Sequence, residues 1–282
     1  MKLVLDQGYY PESLLTAPSD QAIRQDIELT KQKEFNSGRK HQKVEEPRYL
    51  YWTDKLGLLV WGEMANAFMY SDLSVKRITS EWQEVVERDY NHPSIVAWVP
   101  LNESWGVEHL STDKRQPDHA LSLYYLTKSL DTTRPVISND GWEHIKSDIL
   151  TIHDYEGKKE VLKDRYEKIE NILDFKPAGR NLYVPGFNYD GQPIHVSEFG
   201  GIAYKKSEWK GWGYTSADSD EDFIQRYYDV VSPLLESSHV QGFCYTQLTD
   251  VEQEINGLLT YDRKPKVDPA IIRRINEGNS ID

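Results

Sequence analysis

Two rhythms of apolar residues alternate along the chain. Short, nearly continuous apolar runs lie at residues 2–5, 56–61, 95–101, 149–152, 194–197 and 240–245, with weaker ones at 35–41 and 134–138. Runs of this length between polar turns read as strands buried on both faces. Between them, apolar positions fall at helical spacing. Ile23, Ile27 and Thr30 share a face within 18–33, and Val75, Ile78, Trp82, Val85 and Val86 fall near that spacing within 71–90. Further helices are expected at 47–55, 120–131 and 218–237, in the charged stretch after Tyr155, and at 269–277. Ser, Asp or Pro opens several of them, as helix starts prefer. Residues 177–192 are rich in Pro, Gly and Asn and read as a loop.

Eight strands alternating with helices imply a parallel sheet. Eight such units close into one (β/α)8 barrel of the TIM type, an α/β fold. An open doubly wound sheet is the rival, but no Gly-x-Gly-x-x-Gly follows the first strand. No composition break marks a second domain, so residues 1–282 read as one barrel that starts within its first strand.

Composition narrows the function. The 282 residues match a barrel of about 250. The net charge of −13 argues against nucleic acid or an anionic membrane as partner, because no basic stripe is left to neutralise phosphates. Cys244 is the only cysteine, which excludes an intrachain disulfide and a cysteine zinc cluster. No leader-like segment and no apolar run of about 18 residues is seen, so a cytoplasmic location is expected.

Polar and aromatic residues gather where the strands end: Asp6, Arg39, His41, Glu63, Asn102, Glu103, Asp140, His153, Tyr155, Glu198 and Gln247. In a barrel these ends converge on one face. A carboxylate leaving a buried strand is costly unless it is paired or used. Glu103 and Glu198 supply the pair that glycoside hydrolysis needs, one carboxyl protonated and the other ionised.

The stretch 89–105 reads Asp-Tyr-Asn-His-Pro-Ser-Ile-Val-Ala-Trp-Val-Pro-Leu-Asn-Glu-Ser-Trp. It resembles the acid/base signature of glycoside hydrolase family 2, the family of β-galactosidase, β-glucuronidase and β-mannosidase. Asn91, His92, Pro93, Ser94, Trp98, Asn102 and Glu103 all fit. The resemblance implies that Glu103 is the acid/base, with Asn102 on the sugar 2-hydroxyl. It implies that Glu198, in Ile-His-Val-Ser-Glu-Phe-Gly, is the nucleophile of a retaining exo-glycosidase acting on a β-galactoside or related β-hexoside. The carboxyls are then expected about 5–5.5 Å apart.

By the same resemblance Arg39 holds the nucleophile ionised and Tyr155 hydrogen-bonds it. His41 follows Arg39 with only Lys40 between, where the family pattern has two residues. Asp140, His153 and Gln247 are expected near the sugar, and Trp105, Trp142, Trp209 and Trp212 as subsite walls.

No cofactor or metal is expected: Asn66-Ala67-Phe68-Met69 stand where some β-galactosidases carry Glu-x-His. The Asn-x-Lys carboxylate clamp of β-glucuronidases is not evident around Arg263-Lys264-Pro265-Lys266. The jelly-roll and immunoglobulin-like domains that precede the family barrel are not seen. That leaves a truncated, non-catalytic carbohydrate-binding barrel as the alternative, and exposed faces that favour a homo-oligomer.

Overall fold

The computed structural model describes residues 1–206 and 211–281. Seven parallel strands make the main sheet: β1 (Lys2–Asp6), β2 (Ser37–Lys40), β3 (Leu59–Glu63), β4 (Ile95–Val99), β5 (Leu150–Asp154), β6 (Ile194–Gly200) and β9 (Val240–Thr246). Their spatial order is β4-β3-β2-β1-β9-β6-β5. A small parallel ribbon of β7 (Ile202–Tyr204) and β8 (Thr215–Ala217) follows β6.

The sheet curls, and residues 135–141 fill the gap between its edges. On one side Trp98 donates to the Pro135 carbonyl at 3.0 Å, Ile137 to Trp98 at 2.9 Å and Asp140 to Leu101 at 2.9 Å. On the other side His153 donates to the Gly141 carbonyl at 3.3 Å. The ring is therefore a TIM barrel whose fifth stave is irregular, where the sequence pattern predicts a strand at 134–138. The cause is local. Pro135 has no N–H, and the Val136 N–H goes to the Asp148 carboxylate at 2.8 Å, so the ladder is broken at successive residues.

The helices are α1 (Asp20–Gln32), α2 (Pro47–Leu56), α3 (Asp72–Asp89), α4 (Arg115–Leu130), α5 (Lys159–Glu167), α6 (Ile169–Asp174), α7 (Asp220–Glu236) and α8 (Pro269–Asn276). Their starts follow their caps. Ser19 accepts from the Ala22 N–H, Ser71 and Ser74 cap one another's backbone, and Ser219 accepts from Asp222. Helix α4 begins five residues before the expected 120, and its added residues bury the polar Gln116 and His119, which break the apolar stripe that the sequence shows. Among the described residues, no helix is long and apolar enough to cross a membrane.

Two apolar clusters lie outside the barrel, between strands and helices. Trp82 of α3 ties the second of them to the ring: it meets Trp98 edge-on at 5.8 Å and donates to Thr127 of α4 at 2.7 Å. A smaller cluster of Leu3, Leu5, Trp61, Ala97, Val99, Ile137, Ile149 and Cys244 fills the interior. Above that floor, toward the strand C-termini, the interior turns polar.

Candidate active site

Arg39 is the centre of the polar layer. It is wholly buried. Nε donates to Glu63 Oε2 at 2.6 Å, and Nη1 to Glu198 Oε1 at 2.7 Å and the Ser197 carbonyl at 3.1 Å. Nη2 donates to Asn102 Oδ1 at 2.7 Å and lies 2.9 Å from Asp140 Oδ2. Burial alone would lower its pKa, but Asp140, Glu63 and Glu198 together raise it. A planar fork of donors suits this task, since its three nitrogens aim at different parts of the barrel.

Glu198 stands on β6 with its carboxylate buried. Oε1 takes Arg39, and Oε2 accepts from the Tyr155 hydroxyl at 2.6 Å. The β6–β9 register slips between Val196 and Phe199. That irregularity lets two successive residues face the same interior: Ser197 donates to Asp140 Oδ1 at 2.6 Å while Glu198 meets Arg39. Burial pushes the Glu198 pKa up, but His153, Arg39, His41 and the Tyr155 hydroxyl outweigh it and bring the value to about 2. Burial and Glu198 both raise the Tyr155 hydroxyl, so it stays a donor.

Glu103 follows β4 and is part-exposed. Its Oε1 meets His153 Nδ1 at 2.7 Å. The other ring nitrogen lies 3.5 Å from Glu198 Oε1 and 3.6 Å from Asp140 Oδ2. His153 thus sits among three carboxyl groups. Burial lowers its pKa, but Glu198, Asp140 and Glu103 carry it to about 10. Gly141, at φ +101°, packs flat on the ring, where a Cβ would sit 2.7 Å from Nδ1.

One oxygen of Glu103, one nitrogen of His153 and one oxygen of Glu198 lie within 4.8 Å of one another. This is a candidate donor set for a metal ion, but its chemistry does not fit one. His153 must lose a proton that three carboxylates retain, and Arg39 already neutralises Glu198.

Stability should follow these two groups. Glu198, depressed from about 4.3 in an unfolded chain, stabilises the fold above that pH, and the contribution is lost as pH falls toward about 2. His153, raised from about 6.5, contributes fully below that pH and loses its contribution as pH rises through about 10. The urea midpoint is expected to peak between about pH 5 and 6.5 and to fall on the alkaline side. In His153→Gln the alkaline fall should flatten; an unchanged alkaline slope would remove His153 as its cause.

His41 Nδ1 lies 3.0 Å from Glu63 Oε1 and 3.8 Å from Glu198 Oε1. Trp105 is half-exposed at the rim, tilted on Phe68 at 5.7 Å. Trp142 is buried, with its ring edge-on to His153 at 5.6 Å, so it supports the histidine and forms no open wall. Trp209 lies outside the described residues. Trp212 is half-exposed and meets Tyr214 at 5.7 Å. Gln247 is buried, and its amide is engaged: it donates to Asn256 Oδ1 at 2.8 Å and accepts from Gln7 at 2.9 Å. Asp154 points away from the site, to Arg165 and Tyr166.

Sequence reasoning did not single out Tyr214, which stacks on Tyr155 with ring centroids 3.4 Å apart. It named Asn66 only for the segment without Glu-x-His and gave no role to its side chain, whose Oδ1 accepts the Asn102 N–H at 2.7 Å. Neither carries a local signal, because each acts on a residue far along the chain.

A parallel barrel with two opposed glutamates at its strand C-termini, one bonded to an arginine and a tyrosine, has the layout of a carboxylate-pair hydrolase. The family model for the glycosyl hydrolases family 2 TIM barrel domain matches residues 17–278. The chain belongs to that family.

A β-galactosidase of Vibrio cholerae is 35% identical over 126 residues, 41% of this chain and 11% of that protein. A β-galactosidase of Psychromonas ingrahamii is 35% identical over 121 residues, 39% and 11% of the two chains. Among solved structures, a family 2 β-galacturonidase of Eisenbergiella tayi bound to galacturonate superposes with a TM-score of 0.77 at 18% identity, over 99% of this chain and 51% of that one. A Bifidobacterium dentium β-glucuronidase complexed with coumarin-3-O-glucuronide gives 0.77 at 20% identity, over 100% and 47%. The chain spans about a tenth of the length of these curated relatives and about half of these structures.

Proposed function

We propose that this chain is the catalytic barrel of a retaining exo-glycosidase that cleaves a terminal β-galactoside or related β-hexoside. The observation that carries the reading is the pair Glu103 and Glu198, one oxygen of each lying within 4.8 Å of the other, a nearest approach that supports the shorter of the two carboxyl spacings. Inverting enzymes keep their carboxyls about 6.5–9.5 Å apart to admit a water, and retaining ones about 5–5.5 Å. Glu198, ionised at any ordinary pH, attacks the anomeric carbon. Glu103, part-exposed at the rim, protonates the leaving oxygen and later takes a proton from water. Tyr155 and Arg39 orient Glu198, and Asn102, fixed by Arg39, faces the sugar.

A neutral glycone is favoured. Arg263 is paired with Asp26, Lys264 with Asp262 and Lys266 with Asp250, so the basic run after β9 is already engaged. The test is a panel of aryl β-galactoside, β-glucoside, β-glucuronide, β-mannoside and α-arabinoside substrates. One neutral glycoside is expected to turn over and the glucuronide not. Sugar binding without turnover, from folded protein, would instead favour a binding-only barrel.

A further inference from the structure

Glu143 takes no part in the reactions above, yet it is a buried carboxylate with three partners. Oε2 accepts from Ser104 Oγ at 2.7 Å and from Arg180 Nη1 at 2.7 Å, and Oε1 accepts from Ser111 Oγ at 3.1 Å. Ser104 directly follows Glu103. Both residues lie in the left-handed region, at φ 52° and 58°. Residues with a Cβ avoid that region, so two in succession persist only where neighbours hold them.

The restraints can be traced. Glu103 N–H donates to the Asp140 carbonyl at 2.9 Å, and Ser104 N–H to Asn139 Oδ1 at 3.0 Å. Asn139 Nδ2 in turn donates to Ser104 Oγ at 3.2 Å and to the Trp142 carbonyl at 2.7 Å. Ser104 Oγ then reaches Glu143. Glu143 is itself tied to the loop that carries Arg180: its N–H donates to the Asn181 carbonyl at 2.9 Å, and His144 N–H to that of Leu182 at 2.7 Å. The Arg180 guanidinium lies 6.0 Å over the Trp142 ring.

We infer that Glu143, latched by Arg180, is a positioning residue that holds the Glu103 peptide so that its carboxyl meets the leaving oxygen. The inference rests on the reading of Glu103 as proton donor. A carboxylate is needed because three donors converge on it; an amide there offers one acceptor oxygen and brings two N–H groups of its own. Loss of the latch misplaces proton donation and leaves the nucleophile untouched, since Glu198 is held from β2 and the end of β5.

The experiment compares phenyl and dinitrophenyl glycosides of the sugar that the panel identifies. A dinitrophenolate leaves without protonation, whereas a phenolate needs it. In Glu143→Gln and in Arg180→Met, kcat/KM for the phenyl glycoside is expected to fall by about tenfold to a hundredfold, a part of the roughly hundredfold to ten-thousandfold that general-acid assistance supplies, and by less than about threefold for the dinitrophenyl glycoside. Equal losses on both substrates, or none on either, would overturn the inference. Arg180→Met changes a half-exposed side chain, so it decides the matter if Glu143→Gln fails to fold. A native chain inactive on both substrates would defeat the catalytic reading itself, and the role of Glu143 with it.

Discussion

Glu198→Gln is expected to abolish turnover of every glycoside the native chain accepts, whatever the leaving group. An amide cannot form the glycosyl ester, so the fall should be at least about a thousandfold, which corresponds to about 4 kcal/mol of transition-state stabilisation. The variant should still fold, because the amide oxygen can go on accepting from Arg39. Glu103→Gln should behave differently. Its loss should be about a hundredfold or more on phenyl glycosides and small for the first step on dinitrophenyl glycosides, which need no proton. Slow return of the enzyme from its glycosyl form should then limit turnover. Steady-state rates and the initial burst of dinitrophenolate check both variants. If Glu198→Gln retained activity within about tenfold of native, a difference of only about 1.4 kcal/mol, Glu198 would not be the nucleophile.

Arg39→Met is expected to be the most damaging single change to stability. It leaves Glu63, Asp140 and Glu198 buried around an apolar side chain. Removing one partner from a buried ionic cluster costs about 3–5 kcal/mol, a large share of the roughly 5–15 kcal/mol that holds a typical domain together. Urea unfolding near pH 6 measures it. A loss below about 1 kcal/mol, the scale of an exposed ion pair, would show that the cluster is not held by its arginine. Arg39→Lys should not restore the native value, since one ammonium cannot span Glu63, Asn102, Asp140 and Glu198 at once.

These two expectations draw on different kinds of information. Glu103 and Glu198 were legible as candidates because each ends an apolar run, where a carboxylate has to be paired or used; their separate roles came from the resemblance of 89–105 and 194–200 to the family. Arg39 was legible as the partner of the nucleophile only through resemblance to a family, and nothing local announces that it also grips Glu63, Asn102 and Asp140. His153 was expected near the sugar; the fold sets it between Glu103, Glu198 and Asp140, a meeting that no local pattern announces. Gln247 was expected there too, and its amide is engaged by Gln7 and Asn256.

The sequence by itself determined the alternation of strands and helices, the α/β barrel class, and the kind of residue gathered at the strand ends. It could do so because periodicity and capping are local: a buried strand needs an unbroken apolar run, and a helix needs a stripe and a start. Only the tertiary structure decided which of those residues meet. The slip in β6 turns Ser197 and Glu198 inward together, the irregular stave at 135–141 brings Asp140 and Gly141 against His153, and Tyr214 reaches Tyr155 from a separate loop. Such encounters depend on strand register and ring closure. Those are set by the packing of the whole barrel, and no single segment carries them.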